Sequence, residues 1–152
     1  AAGGTIDKYT GDGLMAFWGA PEPLADHARR ACAAALDIAA AVARLNEERC
    51  WNGRPVCPLR IGLHTGPAVV GNVGFPGRLD YTVIGQAVNL AQRIQTAGRA
   101  PRVGLPAIVL VSAATRAAVS GEPGFAFGAF EGENNATTPP PCELWRLTRR
   151  TA

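Results

Sequence analysis

Long apolar runs are the first thing missing from this chain. None approaches the roughly 20 residues that a membrane span needs, so no membrane contact is expected. The opening Ala-Ala-Gly-Gly is too short and polar to act as a signal peptide. Cysteine is sparse and scattered: Cys32, Cys50, Cys57 and Cys142 form no Cys-x-x-Cys pair, and neither histidine sits at metal spacing from them. That excludes a zinc knuckle and a disulfide framework, and it reads as reduced thiols in a cytoplasmic setting. Charge of one sign is also lacking. The net charge is only +3, and Arg146, Arg149 and Arg150 are the one basic cluster. Such a balance gives nucleic acid little to hold. Repeats and low-complexity tracts are absent too.

What remains is an ordinary globular composition. With 47% hydrophobic residues in 152, the chain can bury a core as one domain without staples.

Two segments carry most of the information. The first is Lys8 to Gly19, KYTGDGLMAFWG. A β-rich approach from Gly4 to Tyr9 meets Gly-Asp-Gly, and the apolar run Leu14 to Trp18 follows. Glycine and aspartate tolerate the positive φ angles of a tight turn, so the pattern predicts a hairpin. Asp12 then stands at its tip, where a carboxylate suits a hard cation. An isolated Asp-Gly would more often serve the turn alone.

The second segment is Leu79 to Gly98, LDYTVIGQAVNLAQRIQTAG. Its β-branched and aromatic start predicts a strand to Ile84. Gly85 breaks that strand. Gln86 to Ala97 has helical spacing, with Ala87, Leu90, Ala91 and Ile94 apolar, and Gly98 stops it. Asn89 and Arg93, four apart, share one face of that helix. An amide beside a guanidinium can hold a hydroxyl and a phosphate, although most such pairs only face solvent.

Elsewhere the pattern is plainer. Asp26 is a candidate N-cap for a long helix reaching about Cys50. Its stripe is Ala28, Ala31, Cys32, Ala35, Ala39, Val42 and Leu45. Leu59–Thr65 and Ala68–Val73 read as two strands around Gly66-Pro67. Ala107–Val111 reads as a strand, and Ser112–Val119 as a short helix capped by Ser112. Phe125–Phe130 and Cys142–Leu147 read as a closing strand pair around a polar, Pro-rich loop. Helices alternating with antiparallel strand pairs suggest an α+β domain, with helices packed on a sheet.

With LRIGLHTGPAVVGNVG (Leu59 to Gly74), the two segments resemble the catalytic domain of the class III nucleotidyl cyclases, the adenylate and guanylate cyclase family. The resemblance runs from Gly4 to about Leu147, and the bacterial adenylate cyclases are the nearest in look. It implies the ferredoxin-like nucleotidyl cyclase fold, with an antiparallel sheet and packed helices, in a single domain over 1–152. The domain would be N-terminally truncated, its first strand and helices missing. With them would go the other metal aspartate, because Asp7 is expected on the opposite strand face from Lys8 and does not match that position. On this reading the fragment by itself is inactive.

The implied reaction is attack of the ribose 3′-hydroxyl of ATP on its own α-phosphorus, giving cyclic AMP and pyrophosphate for intracellular signalling. Mg2+ or Mn2+ would act in a two-metal site, with Asp12 as one ligand and the second aspartate absent. Asn89 matches the residue that orients the ribose, and Arg93 the arginine that stabilises the transition state. Arg60 matches a phosphate-contacting arginine, against the plainer reading of a strand charge. Lys8 and Thr82 match the purine-selecting pair. Lysine donates, threonine can accept, and the two together fit adenine. Edge protection and β propensity are their ordinary roles.

The family's sites lie at a head-to-tail dimer interface, so a homodimer with two equivalent sites is expected, under an upstream regulatory domain. The domain would be cytoplasmic, or the cytosolic part of a membrane-anchored sensor. The family's Lys-Gly-Lys-like turn corresponds to Phe130-Glu131-Gly132-Glu133-Asn134-Asn135, which has no lysine. His64 reads as a strand residue and His27 as a first-turn helix residue. The alternatives are a pseudocyclase that binds nucleotide without turnover, a guanylate cyclase, which Lys8 opposes, and an unrelated RNA-binding α+β module. The last would need sheet aromatics and a basic face.

Overall fold

The computed structural model describes residues 2–98, 107–131 and 142–150. Its centre is a four-stranded sheet in the order β3-β6-β8-β7, made of β3 (Leu59–Leu63), β6 (Ala107–Ser112), β8 (Leu144–Arg149) and β7 (Phe125–Phe130). The strand β3 runs parallel to β6, whereas β6–β8 and β8–β7 are antiparallel. The expectation of an antiparallel sheet is thus met in two pairings and corrected in the third. The two strands around Gly66-Pro67 also do not pair with each other. The first joins β6, and the second, β4 (Val69–Phe75), forms a separate antiparallel ribbon with β5 (Arg78–Ile84).

The sequence of β6, AIVLVS, explains its central place. A strand covered on both faces can be apolar throughout, because it has no wet side. Val109 and Val111 face α1 (His27–Trp51), packing with Ala28, Cys32, Ala35 and Leu36, and with Val119, Phe125 and Leu147. Ile108 and Leu110 face the other way. They pack with Ile94 of α2 (Gln86–Ala97) and with Phe130 and Leu144. Two helices thus cover opposite faces of one sheet. The alanine stripe of α1 serves the core, as the helical period implies, but Leu45 near its end is 46% exposed.

Asp26 occupies the N-cap position of α1 without capping it. Its carboxylate is taken instead by Arg29 and by Arg30, the latter at 2.8 Å. Those guanidiniums hold its pKa below the ordinary value. The cap predicted at Ser112 is present. Its side chain accepts from Thr115 N at 3.2 Å and starts α3 (Ala113–Ala118). Buried Asn46 accepts from Cys57 N at 2.7 Å and donates to Cys57 O at 2.9 Å, tying the loop after α1 back to the helix.

The hairpin at the start forms as its turn residues dictate. The strands β1 (Thr5–Thr10) and β2 (Gly13–Phe17) pair with Thr10 opposite Gly13, leaving Gly11-Asp12 as a two-residue loop. Gly11 takes φ +64°, a left-handed angle that glycine enters without strain. The pairing shifts register between Ile6 and Lys8, so Asp7 is an extra, unpaired residue in β1. Such a bulge re-aims side chains. Residues 99–106 and 132–141 lie outside the described residues. With the second goes most of the stretch matched to the Lys-Gly-Lys-like turn.

Candidate functional site

Two groups of polar side chains stand out, one on the helix α2 and one between the strands β1 and β5. The first lies along α2. Asn89 and Arg93, one turn apart, line an open cleft of about 310 Å³ together with His64, Pro67, Gln86, Ala87 and Leu90. Both are exposed, and neither side chain has a hydrogen-bond or ion-pair partner among the described residues, although the Arg93 charge is felt by the Cys142 thiol. An amide and a guanidinium in that state remain available to a ligand's oxygens.

Close packing of α2 on β3 sets the position of this face. A Cβ at Gly62 would lie 2.3 Å from Gln95 N and 2.4 Å from Ala91 O, so only glycine lets the helix come so near. His64 lies just past the end of β3 rather than within it. Its Nδ1 is 2.9 Å from Ser112 Oγ, which is itself 3.2 Å from Thr115 Oγ1. Burial keeps the His64 pKa below its ordinary value, so near neutral pH the imidazole is uncharged. Thr65 Oγ1 donates to Thr115 Oγ1 at 3.1 Å and completes this polar joint between β3, β6 and α3.

The second group joins the two ribbons. Lys8 Nζ donates to Thr82 Oγ1 at 2.8 Å, although 74 residues separate them. Thr82 Oγ1 donates in turn to Asp7 Oδ2 at 2.8 Å, and Val83 N approaches the same oxygen at 3.4 Å. Asp7 Oδ1 lies 3.4 Å from Lys8 Nζ. The Asp7 side chain is 1% exposed and that of Lys8 46%. Alternation along a strand would send Asp7 and Lys8 to opposite faces. The bulge overturns that expectation, and both side chains reach Thr82. Strand periodicity alone therefore missed Asp7. The only sequence signal was an Asp-Lys pair just before a turn, and a bulge is not legible from it. The rings of Phe17 and Tyr81, with centroids 6.3 Å apart, also link the ribbons.

The remaining candidates stand apart from both groups. Asp12 is exposed at the hairpin tip, and its carboxylate has no partner among the described residues. Arg60 is half-buried in β3, two pleats from His64 and outside the lining of the cleft. Among the described residues no three Asp, Glu, His or Cys side chains gather as a metal cluster. The donor set nonetheless suits Mg2+ or Mn2+, because such ions are often held by one or two carboxylates and complete their shell with water and substrate phosphates. Asp12 offers one such carboxylate.

Sheet, helices and cleft define an α+β domain that presents unpartnered amide, guanidinium and carboxylate groups to a polar ligand. Comparison with known proteins narrows that class. Residues 6–129 match the family model described as the adenylate and guanylate cyclase catalytic domain, and the chain belongs to that family. It is 41% identical over 92 residues to adenylate cyclase 1 of Rhizobium meliloti, covering 60% of this chain and 14% of that protein. It is 44% identical over 100 residues to an adenylate cyclase of Anabaena cylindrica, covering 62% of this chain and 18% of that protein. The chain thus spans less than a fifth of the length of these two relatives. The crystal structure of the adenylyl cyclase CyaB from P. aeruginosa superposes with a TM-score of 0.74 at 26% identity, covering 99% of this chain and 74% of that one.

Proposed function

We propose that residues 1–152 form one catalytic domain of an adenylate cyclase, which converts ATP to cyclic AMP and pyrophosphate. The observation that carries this reading is the contact between Lys8 and Thr82. These are the two positions that the resemblance assigns to purine selection, and they meet at 2.8 Å. Adenine offers an acceptor at N1 and a donor at its 6-amino group; guanine reverses both. A lysine opposite N1 and a threonine oxygen opposite the amine complement adenine. The same lysine argues against a guanylate cyclase, whose members carry an acid there.

The other roles follow from side-chain chemistry. Asn89 orients the ribose through its amide. Arg93 binds the α-phosphate oxygens, on which charge grows as the 3′-oxygen bonds to phosphorus and the bond to the pyrophosphate oxygen breaks. A planar guanidinium with several donors suits that geometry. Arg60 stands outside the cleft that Asn89 and Arg93 line, so of the proposed phosphate ligands its contribution is the weakest. Asp12 would hold Mg2+ or Mn2+. When bound, such an ion neutralises phosphate charge and eases ionisation of the 3′-hydroxyl.

A head-to-tail homodimer is part of the proposal. Ile6, Tyr9, Leu14, Val69, Phe75 and Leu79 leave apolar surface exposed on the two ribbons, as an interface between copies would. The length of the relatives supports a regulatory domain in the whole protein. No described helix is long and apolar enough to cross a membrane, which is compatible with a domain working in the cytoplasm.

The test is turnover of ATP and of GTP with Mn2+ by the intact protein, with Asp12→Ala beside it. Cyclic AMP formed from ATP and abolished by Asp12→Ala is the expected result. A folded dimer that binds ATP and yields no cyclic product would overturn the enzyme assignment in favour of a regulatory pseudocyclase.

A further inference from the structure

The proposed base-reading pair contains an ambiguity that the pair cannot resolve. A threonine hydroxyl holds one proton and two lone pairs, so it can donate as readily as accept. Free to rotate, Thr82 could accept from the 6-amino group of adenine or donate to the 6-oxygen of guanine. Lys8 does not decide the matter alone, because an ammonium leaves the hydroxyl proton wherever a base would draw it.

We infer that Asp7 is a positioning residue for purine selectivity, fixing Thr82 as a hydrogen-bond acceptor toward the base; this rests on the adenylate cyclase reading above. Asp7 Oδ2 receives the Thr82 hydroxyl proton at 2.8 Å. A carboxylate only accepts, so the proton has one favourable direction, away from Lys8 and into the protein. The Asp7 side chain is 1% exposed. Water therefore does not compete for that bond, and a charge-assisted bond is the stronger for it.

Two contacts keep Asp7 in place. Val83 N approaches Oδ2 at 3.4 Å, and Lys8 Nζ balances its charge at 3.4 Å from Oδ1. That Oδ1 is buried and receives no hydrogen bond among the described residues. Burying such an atom is costly in free energy. A turn that merely needed a strand residue would not demand an aspartate here. With its proton committed, the Thr82 oxygen has one lone pair for Lys8 and one for a base. An amine satisfies the second lone pair; the carbonyl of guanine repels it. Thr82 is itself 5% exposed, so an entering base meets Lys8 first and Thr82 at the bottom of the site.

The experiment measures kcat/KM for ATP and for GTP in the intact protein and in Asp7→Asn, with the affinity of both nucleotides measured by calorimetry alongside. Asp7→Asn keeps the size of the side chain and lets its amide turn an N–H toward Thr82, which frees the hydroxyl proton. The ATP-to-GTP ratio should fall about tenfold or more, in turnover and in binding. Asp7→Glu, which retains a carboxylate, should hold most of the ratio. Thr82→Val should lower the ratio by itself, and adding Asp7→Asn to it should lower the ratio no further.

Equal loss for both nucleotides in Asp7→Asn, with the ratio unchanged, would overturn the inference and leave the adenylate cyclase assignment standing. If Asp7→Asn does not fold, Asp7→Ser is measured against the same two outcomes. A wild-type protein that neither binds nor turns over either nucleotide would overturn both.

Discussion

Gly62 of β3 lies beneath the carbonyl of Ala91 in α2, so close that a Cβ there would stand 2.4 Å from the oxygen. The neighbours it would meet are backbone atoms, which cannot rotate aside. Adding one methyl should push the whole helix away from the sheet. Gly62→Ala is therefore expected to lower stability by about 1–3 kcal/mol, the usual cost of overpacking. Chemical denaturation measures this directly. Gly71→Ala is the control. Its Cβ would meet nothing within 4 Å, so its effect should stay within about 0.5 kcal/mol.

The same packing should reach the site, because α2 carries Asn89 and Arg93. Much of this was legible in the sequence. The period of Gln86 to Ala97 defined α2 at both ends, and the turn residues defined the first hairpin. The pairing of the first hairpin and of the closing strands β7 and β8 was legible as well, whereas the partner of β3 was not. Neighbouring strands in a sequence most often pair, yet β3 joins β6 in parallel, because α2 and the β4–β5 ribbon fill the crossover between them. Nor did the bulge at Asp7 leave a trace, since one extra residue in a strand alters no composition. The bonds that join Asp7 and Lys8 to Thr82 cross 74 or more residues of chain and so depend on tertiary contacts that no local pattern encodes.

Lys8→Glu should reverse the preference for the base. A carboxylate in that position accepts from the N1–H of guanine and repels N1 of adenine. The ATP-to-GTP ratio of kcat/KM is expected to fall by about 10²-fold or more. The ratio is the useful quantity, since the new charge would also stand beside Asp7, where Lys8 now lies 3.4 Å away. Like charges there should slow turnover of both nucleotides. An unchanged ratio would remove Lys8 from base selection.

Arg93→Ala should act on kcat more than on KM. The guanidinium is proposed to hold charge that grows in the transition state, and removing such a group typically costs about 10²–10³-fold in kcat. Arg93→Lys should recover only a small part, because an ammonium lacks the planar fork. Steady-state kinetics with ATP separates the two constants. A rise in KM with kcat intact would instead make Arg93 a ground-state phosphate contact.

His64 should make stability depend on pH. Burial lowers its pKa in the folded protein below the ordinary value of 6.5. Between the folded and unfolded values the unfolded chain binds more protons, so stability rises with pH through that window. The contribution is complete above about pH 6.5 and is lost as pH falls toward the folded value. Asp26, whose pKa lies below its ordinary 3.8, responds only in more acidic solution. Denaturation midpoints measured between about pH 7 and pH 5 should decline, and His64→Gln should flatten that decline. An identical slope in the variant would assign the pH dependence to other groups.

Cys32 should be the slowest of the four thiols. It is fully buried against β6, and burial pushes its pKa up to about 11. The thiolate is the reactive form, so near neutral pH the population able to react is very small, and no reagent reaches it in the native state. Cys50 and Cys57 are exposed and should be modified first, with Cys142, half-buried and also raised by burial, following them. Timed alkylation read by peptide mass spectrometry gives the order. Modification of Cys32 should track unfolding of α1 from the sheet and should quicken in Gly62→Ala only as far as that variant lowers global stability. Labelling of Cys32 in the native protein at the rate of Cys50 would show that the face of the sheet under α1 opens without global unfolding.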